Sequence, residues 1–129
     1  MSDPVKGRRI AHADLDEWSG KVTAEGGGLR IVQGSEYGLS TSLMESEVVP
    51  GGGPRRHKHP HIEIFVVNDG EGRYEIEGTV HEAVAGDVVI VPPDAWHRFV
   101  NPGPGLLRQT IIHENARIRT LFEDGSARD

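Results

Sequence analysis

The stretch GGGPRRHKHPHIEIFVVNDG, from Gly51 to Gly70, decides how this chain is read. It places His57, His59 and His61 at alternate positions and Glu63 at the same parity. Side chains on a strand alternate between its faces, so this spacing turns all four toward one side. Three imidazoles and a carboxylate facing a barrel interior are costly to bury unless something satisfies them. A divalent metal does so, and a donor set of this kind suits Fe, Mn, Co, Ni, Cu or Zn. The bland alternative is a histidine-rich loop facing water, and the alternation with a carboxylate argues against it. The chain has no cysteine, which excludes disulfides, zinc-thiolate sites and thiol nucleophiles together.

Outward from this stretch the chain reads as short strands between turns. Upstream, Leu29 to Gln33 and Tyr37 to Val49 are predicted strands, the second ending at Pro50. Downstream, His61 to Asn68 and Arg73 to Glu77 flank Asp69-Gly-Glu-Gly72 as a hairpin. Val80 to Val84, Val88 to Val91, Trp96 to Val100 and Leu106 to His113 follow, separated by Gly- and Pro-containing turns. The apolar spacing of Ile118, Leu121 and Phe122 predicts a short terminal helix over Asn115 to Phe122. Asp14 to Gly20 predicts one helical turn inside a polar N-terminal arm that runs to Gly28. About eight to ten short strands at this spacing predict an all-β jelly roll or barrel. With 129 residues there is room for one core: an arm over 1–28, a barrel over 29–115, and a short helix and tail over 116–129.

The histidine stretch has a regular frame. Gly51 is followed after five residues by His57, after one by His59, after three by Glu63 and after six by Gly70. Gly86 leads after five residues to Pro92, after one to Asp94, after two to His97 and after three to Asn101. These two segments resemble the two motifs of the cupin superfamily at every fixed position except one, where Asp94 stands for the usual glycine. The resemblance covers about Tyr37 to His113. It implies a cupin jelly-roll β-barrel, a double-stranded β-helix, holding one divalent transition metal per chain through His57, His59, Glu63 and His97. Asp94 leaves only the turn geometry open, since Asp tolerates a left-handed turn better than most residues.

Several residues carry two readings. Glu63 either coordinates or swings away as a base. His61 is a ligand or neighbouring base, or else a rim residue displaced by Pro60. Gln109 and His113 share parity on the last predicted strand and either line the pocket as proton-transfer groups or face solvent. Phe65, Tyr74, Trp96 and Phe99 form an aromatic wall or plain core. His12 and His81 are read as surface residues, and Arg55, Arg56 and Lys58 as a solvated rim.

The net charge of −6 argues against nucleic acid and anionic membrane surfaces, leaving a small-molecule substrate as the expected partner. The start MSDPVKGRRI has no apolar core of a leader, so a soluble cytoplasmic protein is expected. The resemblance implies a homodimer, with the polar arm reaching across to cover a sheet edge. It also implies two kinds of chemistry: a dioxygenase of the quercetinase type, or a redox-neutral cyclase, isomerase or lyase using the metal as Lewis acid. A non-catalytic binding protein is the third reading.

Overall fold

A computed structural model describes residues 7–10 and 27–128. Its strands are β1 (Gly27–Val32), β2 (Ser42–Val48), β3 (His57–Lys58), β4 (Glu63–Asp69), β5 (Glu71–Ile76), β6 (Thr79–Val84), β7 (Val88–Val91), β8 (His97–Val100), β9 (Leu107–His113), β10 (Thr120–Phe122) and β11 (Ala127–Arg128). Two sheets form, one ordered β1-β2-β9-β4-β7 and the other β11-β10-β3-β8-β5-β6. The pairings are antiparallel, and the expected jelly roll is what the chain builds.

The period-two patterning that predicted strands also sorts the core. Along β4, Glu63, Phe65 and Val67 are buried while Ile64 and Val66 are half-buried. Along β9, Leu107, Gln109, Ile111 and His113 face inward. Phe65, Tyr74 and Phe99 meet with ring centroids 5.0 to 5.7 Å apart, so Phe65 and Tyr74 take the plain-core reading. Trp96 is only half-buried, and the Lys58 ammonium lies 4.7 Å from its ring centroid.

Three boundaries differ from the sequence reading. The strand expected from Tyr37 begins only at Ser42, because a 3-10 turn occupies Gly34–Glu36 and the Ser42 hydroxyl accepts the Gly34 N–H at 2.9 Å. The predicted C-terminal helix is a correction: Thr120–Phe122 is strand, pairing Phe122 with His57 and Leu121 with Lys58, and turning back into β11. The apolar spacing there fits one helical turn, too little to nucleate a helix, whereas the edge of β3 offers backbone partners. The N-terminal arm, its helical turn and His12 lie outside the described residues except for 7–10, and Gly27 and Gly28 already belong to β1.

The outer face of the five-stranded sheet is apolar along one whole row. Val32 pairs with Leu43, Leu43 with Ile112, Ile112 with Ile64, and Ile64 with Ile90, so one residue from each strand joins a continuous ladder. Ile90 is 62% exposed and Val88, on the next row beside Val66, is 57% exposed. Among the described residues no helix is long and apolar enough to cross a membrane.

Candidate metal centre

His57 lies on β3 in the six-stranded sheet, His59 just after it, Glu63 on β4 in the other sheet, and His97 on β8 directly opposite His57. One strand was expected to deliver His57, His59 and Glu63 together. Instead Pro60 lies in a bend between β3 and β4, so the donors come from both sheets. All four are buried, and their ligating atoms lie within 4.8 Å of one another. Asp94, the departure from the family frame, adopts φ 62° in the turn that leads to His97.

The three imidazoles are oriented by their backs. Nδ1 of His57 faces the Arg55 carbonyl at 2.7 Å, Nδ1 of His59 the Arg119 carbonyl at 2.7 Å, and Nδ1 of His97 the Ala95 carbonyl at 2.8 Å. A carbonyl only accepts, so each Nδ1 carries the hydrogen and each Nε2 is turned toward the centre. Oε1 of Glu63 sits 2.7 Å from Nε2 of His97 and 3.4 Å from Nε2 of His59. Nε2 of His59 is buried without a hydrogen-bond partner, an orphan that a bound cation would satisfy.

Electrostatics agree with that geometry. Burial, reinforced by the neighbouring His97 ring, lowers the His57 imidazole to about 4, so it is neutral and ligand-competent at pH 7. Burial pushes the Glu63 carboxyl up, but the His59, His97 and His113 imidazoles around it outweigh that and hold the group well below the carboxylate range. Burial also pulls His59 down, yet the nearby Glu63 carboxylate leaves it raised. The cluster is organised around a positive charge, and the donors fit a divalent metal.

The remaining candidates separate. His113 joins the site: its Nε2 lies 3.2 Å from Oε2 of Glu63, and burial lowers it to about 4. His61 is buried behind it, with Nε2 3.0 Å from Nδ1 of His113, and lines a separate surface hollow beside Pro60 and Arg117. His59, His61 and His113 thus make a second group of convergent nitrogens that shares His59 with the first. Gln109 does not reach the site: it is fully buried, accepts the Tyr74 hydroxyl hydrogen bond and is absent from the cavity lining. His81 is exposed, as expected, and the rim arginines are ion-paired, Arg55 to Asp124 at 3.4 Å and Arg56 to Glu123 at 3.2 Å.

A cavity of about 350 Å³ opens onto His57, His59, Glu63 and His113. Leu29, Met44, Val48, Phe99, Ile118 and Phe122 supply much of its wall. Sequence reasoning found only Phe99 among these, because the others reach the cavity through the long-range pairings of β1 with β2 and of β10 with β3. Two guanidinium groups approach the Phe122 ring, Arg55 at 4.1 Å and Arg128 at 5.1 Å from its centroid.

Comparison with known proteins agrees with this architecture. An uncharacterized protein of Methanocaldococcus jannaschii is 28% identical over 98 residues, covering 74% of this chain and 78% of that one. Among solved structures, an oxalate oxidase superposes with TM-score 0.70 at 22% identity, over 78% of this chain and 57% of that chain. Oxalate decarboxylase of Bacillus subtilis, whose Mn(II) centres are the subject of one such structure, gives 0.71 at 22% identity over 80% of this chain and 29% of that chain. This chain therefore spans a little over half of the oxidase and under a third of the decarboxylase, and at this identity the likeness is one of fold. The cupin domain model (Cupin_2) matches residues 44–113, the span that holds all four donors, and the chain belongs to the cupin family.

Proposed function

We propose that this protein is a metal-dependent enzyme acting on a small oxygenated molecule, with His57, His59, Glu63 and His97 holding one divalent transition metal. The observation that carries the reading is the set of three Nδ1-to-carbonyl hydrogen bonds, which turn three Nε2 atoms toward Glu63 at the end of a cavity. A bound ion of this kind supplies Lewis acidity and, where it is Fe, Mn or Cu, redox chemistry.

Dioxygenase chemistry of the quercetinase type is the leading assignment. The support is the cavity wall: apolar side chains supply much of a ligand-sized space that one side of the cluster faces. A redox-neutral cyclase, isomerase or lyase is favoured by a different observation, His113. Held neutral by burial and placed in the cavity lining, it is a proton acceptor beside Glu63. Elemental analysis of native protein with an oxygen electrode separates the two. Fe, Mn or Cu with oxygen uptake on an enediol supports the first, and Zn with no oxygen consumption overturns it.

The protein is further proposed to pair with a second copy through the ladder Val32-Leu43-Ile112-Ile64-Ile90. Five strands of four to seven residues, each a strip about 4.8 Å wide at about 3.4 Å per residue, make a face of roughly 500 Å². Two copies stacked there bury on the order of 1,000 Å², the lower bound for a stable interface.

A further inference from the structure

The three donor imidazoles and His113 differ in what stands behind them. Nδ1 of His57, His59 and His97 each meets a main-chain carbonyl, whereas Nδ1 of His113 meets another imidazole, Nε2 of His61, at 3.0 Å. A carbonyl only accepts, so it holds its histidine in one tautomer. An imidazole donates or accepts, so the hydrogen between His61 and His113 has two places to sit. Both rings are buried, His61 at 8% exposed and His113 at 1%. They border different spaces: His113 lines the cavity, and His61 lines the surface hollow beside Pro60, Asn115 and Arg117. Among the described residues, neither Nε2 of His113 nor Nδ1 of His61 has a hydrogen-bond partner, so each end of the pair keeps one uncommitted nitrogen.

We propose that His61 and His113 form a two-imidazole proton shuttle between the cavity and this hollow. In its first form His113 donates its Nδ1 hydrogen to Nε2 of His61, His61 carries its own hydrogen on Nδ1, and Nε2 of His113 offers a lone pair to the cavity. When that lone pair takes a proton, the Nδ1 hydrogen of His113 crosses to Nε2 of His61. His61 then releases the proton on its Nδ1 to solvent at the hollow. Both rings are neutral again, and His113 now presents an N–H to the cavity instead of a lone pair. The reverse sequence gives the proton back, so one group accepts and later donates, as an isomerisation or cyclisation requires. His61 is a positioning residue that acts through His113. The shuttle deepens the redox-neutral reading above and rests on it for its use in catalysis.

Full chain labelled at the histidine ring nitrogens and loaded with one equivalent of Zn(II) tests it by NMR. Solvent exchange of the ring N–H of His113 is compared with that of His57, which a carbonyl backs. The expected result is exchange at least about tenfold faster at His113, although it is the more buried ring. His61→Gln puts behind His113 an amide that accepts its hydrogen but does not pass it on, and should slow that exchange at least about tenfold. In His61→Ala, free imidazole added to the solution should restore fast exchange, a rescue that a merely structural role would not give. Equal exchange at His113 and His57, or unchanged exchange in His61→Gln, overturns the shuttle. So does a second equivalent of Zn(II) that shifts the ring-nitrogen signals of both His61 and His113, because the pair with His59 would then hold an ion in place of a proton. Loss of Zn(II) on gel filtration overturns the metal site instead, and the same exchange comparison in the metal-free chain still decides the shuttle.

Discussion

Nε2 of His97 lies 2.7 Å from Oε1 of Glu63, although the two residues belong to different sheets of the barrel. A cation held there ties the sheets to each other, and its removal leaves a buried carboxylate among imidazoles. Saturating metal, at about a thousandfold over its Kd, is expected to raise the midpoint of thermal unfolding by on the order of 10 °C. EDTA should reverse the rise. His57→Ala and His97→Ala should each abolish metal retention, whereas His61→Ala should keep it, since His61 is not among the four convergent donors. Full occupancy in both alanine variants of His57 and His97 would falsify the ligand assignment.

The metal-free protein should lose stability on acidification in a definite window. His57 and His113 are held at about 4 in the fold against 6.5 unfolded, so between those values the unfolded chain binds more protons. Stability then rises with pH from about 4 to 6.5 and is lost as pH falls. His59 acts with the opposite sign, because its raised pKa favours the fold below 6.5 and releases that gain as pH rises. His61 is lowered as well, so three groups outweigh one, and a net loss of stability from pH 7 to pH 5 is expected in urea titrations. A flat or inverted profile contradicts this balance.

Two frame glycines should respond differently to alanine. Gly70 has φ 79°, and a Cβ there would stand 2.2 Å from the Leu106 carbonyl oxygen. Gly86 has φ 98° with nothing within 4 Å of its Cβ position. Both substitutions strain the backbone, at about 1 kcal/mol or more, but only Gly70→Ala also collides with main chain. Its measured loss should exceed that of Gly86→Ala by at least about 1 kcal/mol, and equal losses would show that the close approach to Leu106 is unimportant.

The pairing proposal predicts a charge-sensitive interface. Ile90 is the most exposed residue of the apolar ladder and carries no part of the core, so Ile90→Asp should leave the fold intact. Light scattering after size exclusion is expected to give a dimer for the native chain at micromolar concentration and a monomer for the variant. A native monomer refutes the interface. A dimer in both places it elsewhere on the surface.

Much of the donor set was legible through the resemblance to the two cupin motifs, whereas strand parity did not foresee that Glu63 lies in a different sheet from His57. His61 shows where parity stops working. It shares the parity of His57 and His59, yet Pro60 bends the chain and His61 meets His113 instead. Gln109 marks another limit: inward parity on β9 places a residue in the interior but not at which depth, and its side chain accepts the Tyr74 hydroxyl. The C-terminal strands were invisible because Ile118, Leu121 and Phe122 have helical spacing, and only the partner strand β3, sixty residues away in the fold's wiring, decides between helix and ladder. The apolar cavity wall was hidden likewise, since β1 and β10 find it through pairings no local pattern encodes.

The hydrogen bond from His59 Nδ1 to the Arg119 carbonyl crosses the boundary of the family-matched span. A fragment trimmed at His113 would keep every donor atom and still be a poorer chelator, with one imidazole free to rotate and the Phe122 wall gone. In modular terms, the smallest transplantable unit of this centre is larger than the domain that defines its family.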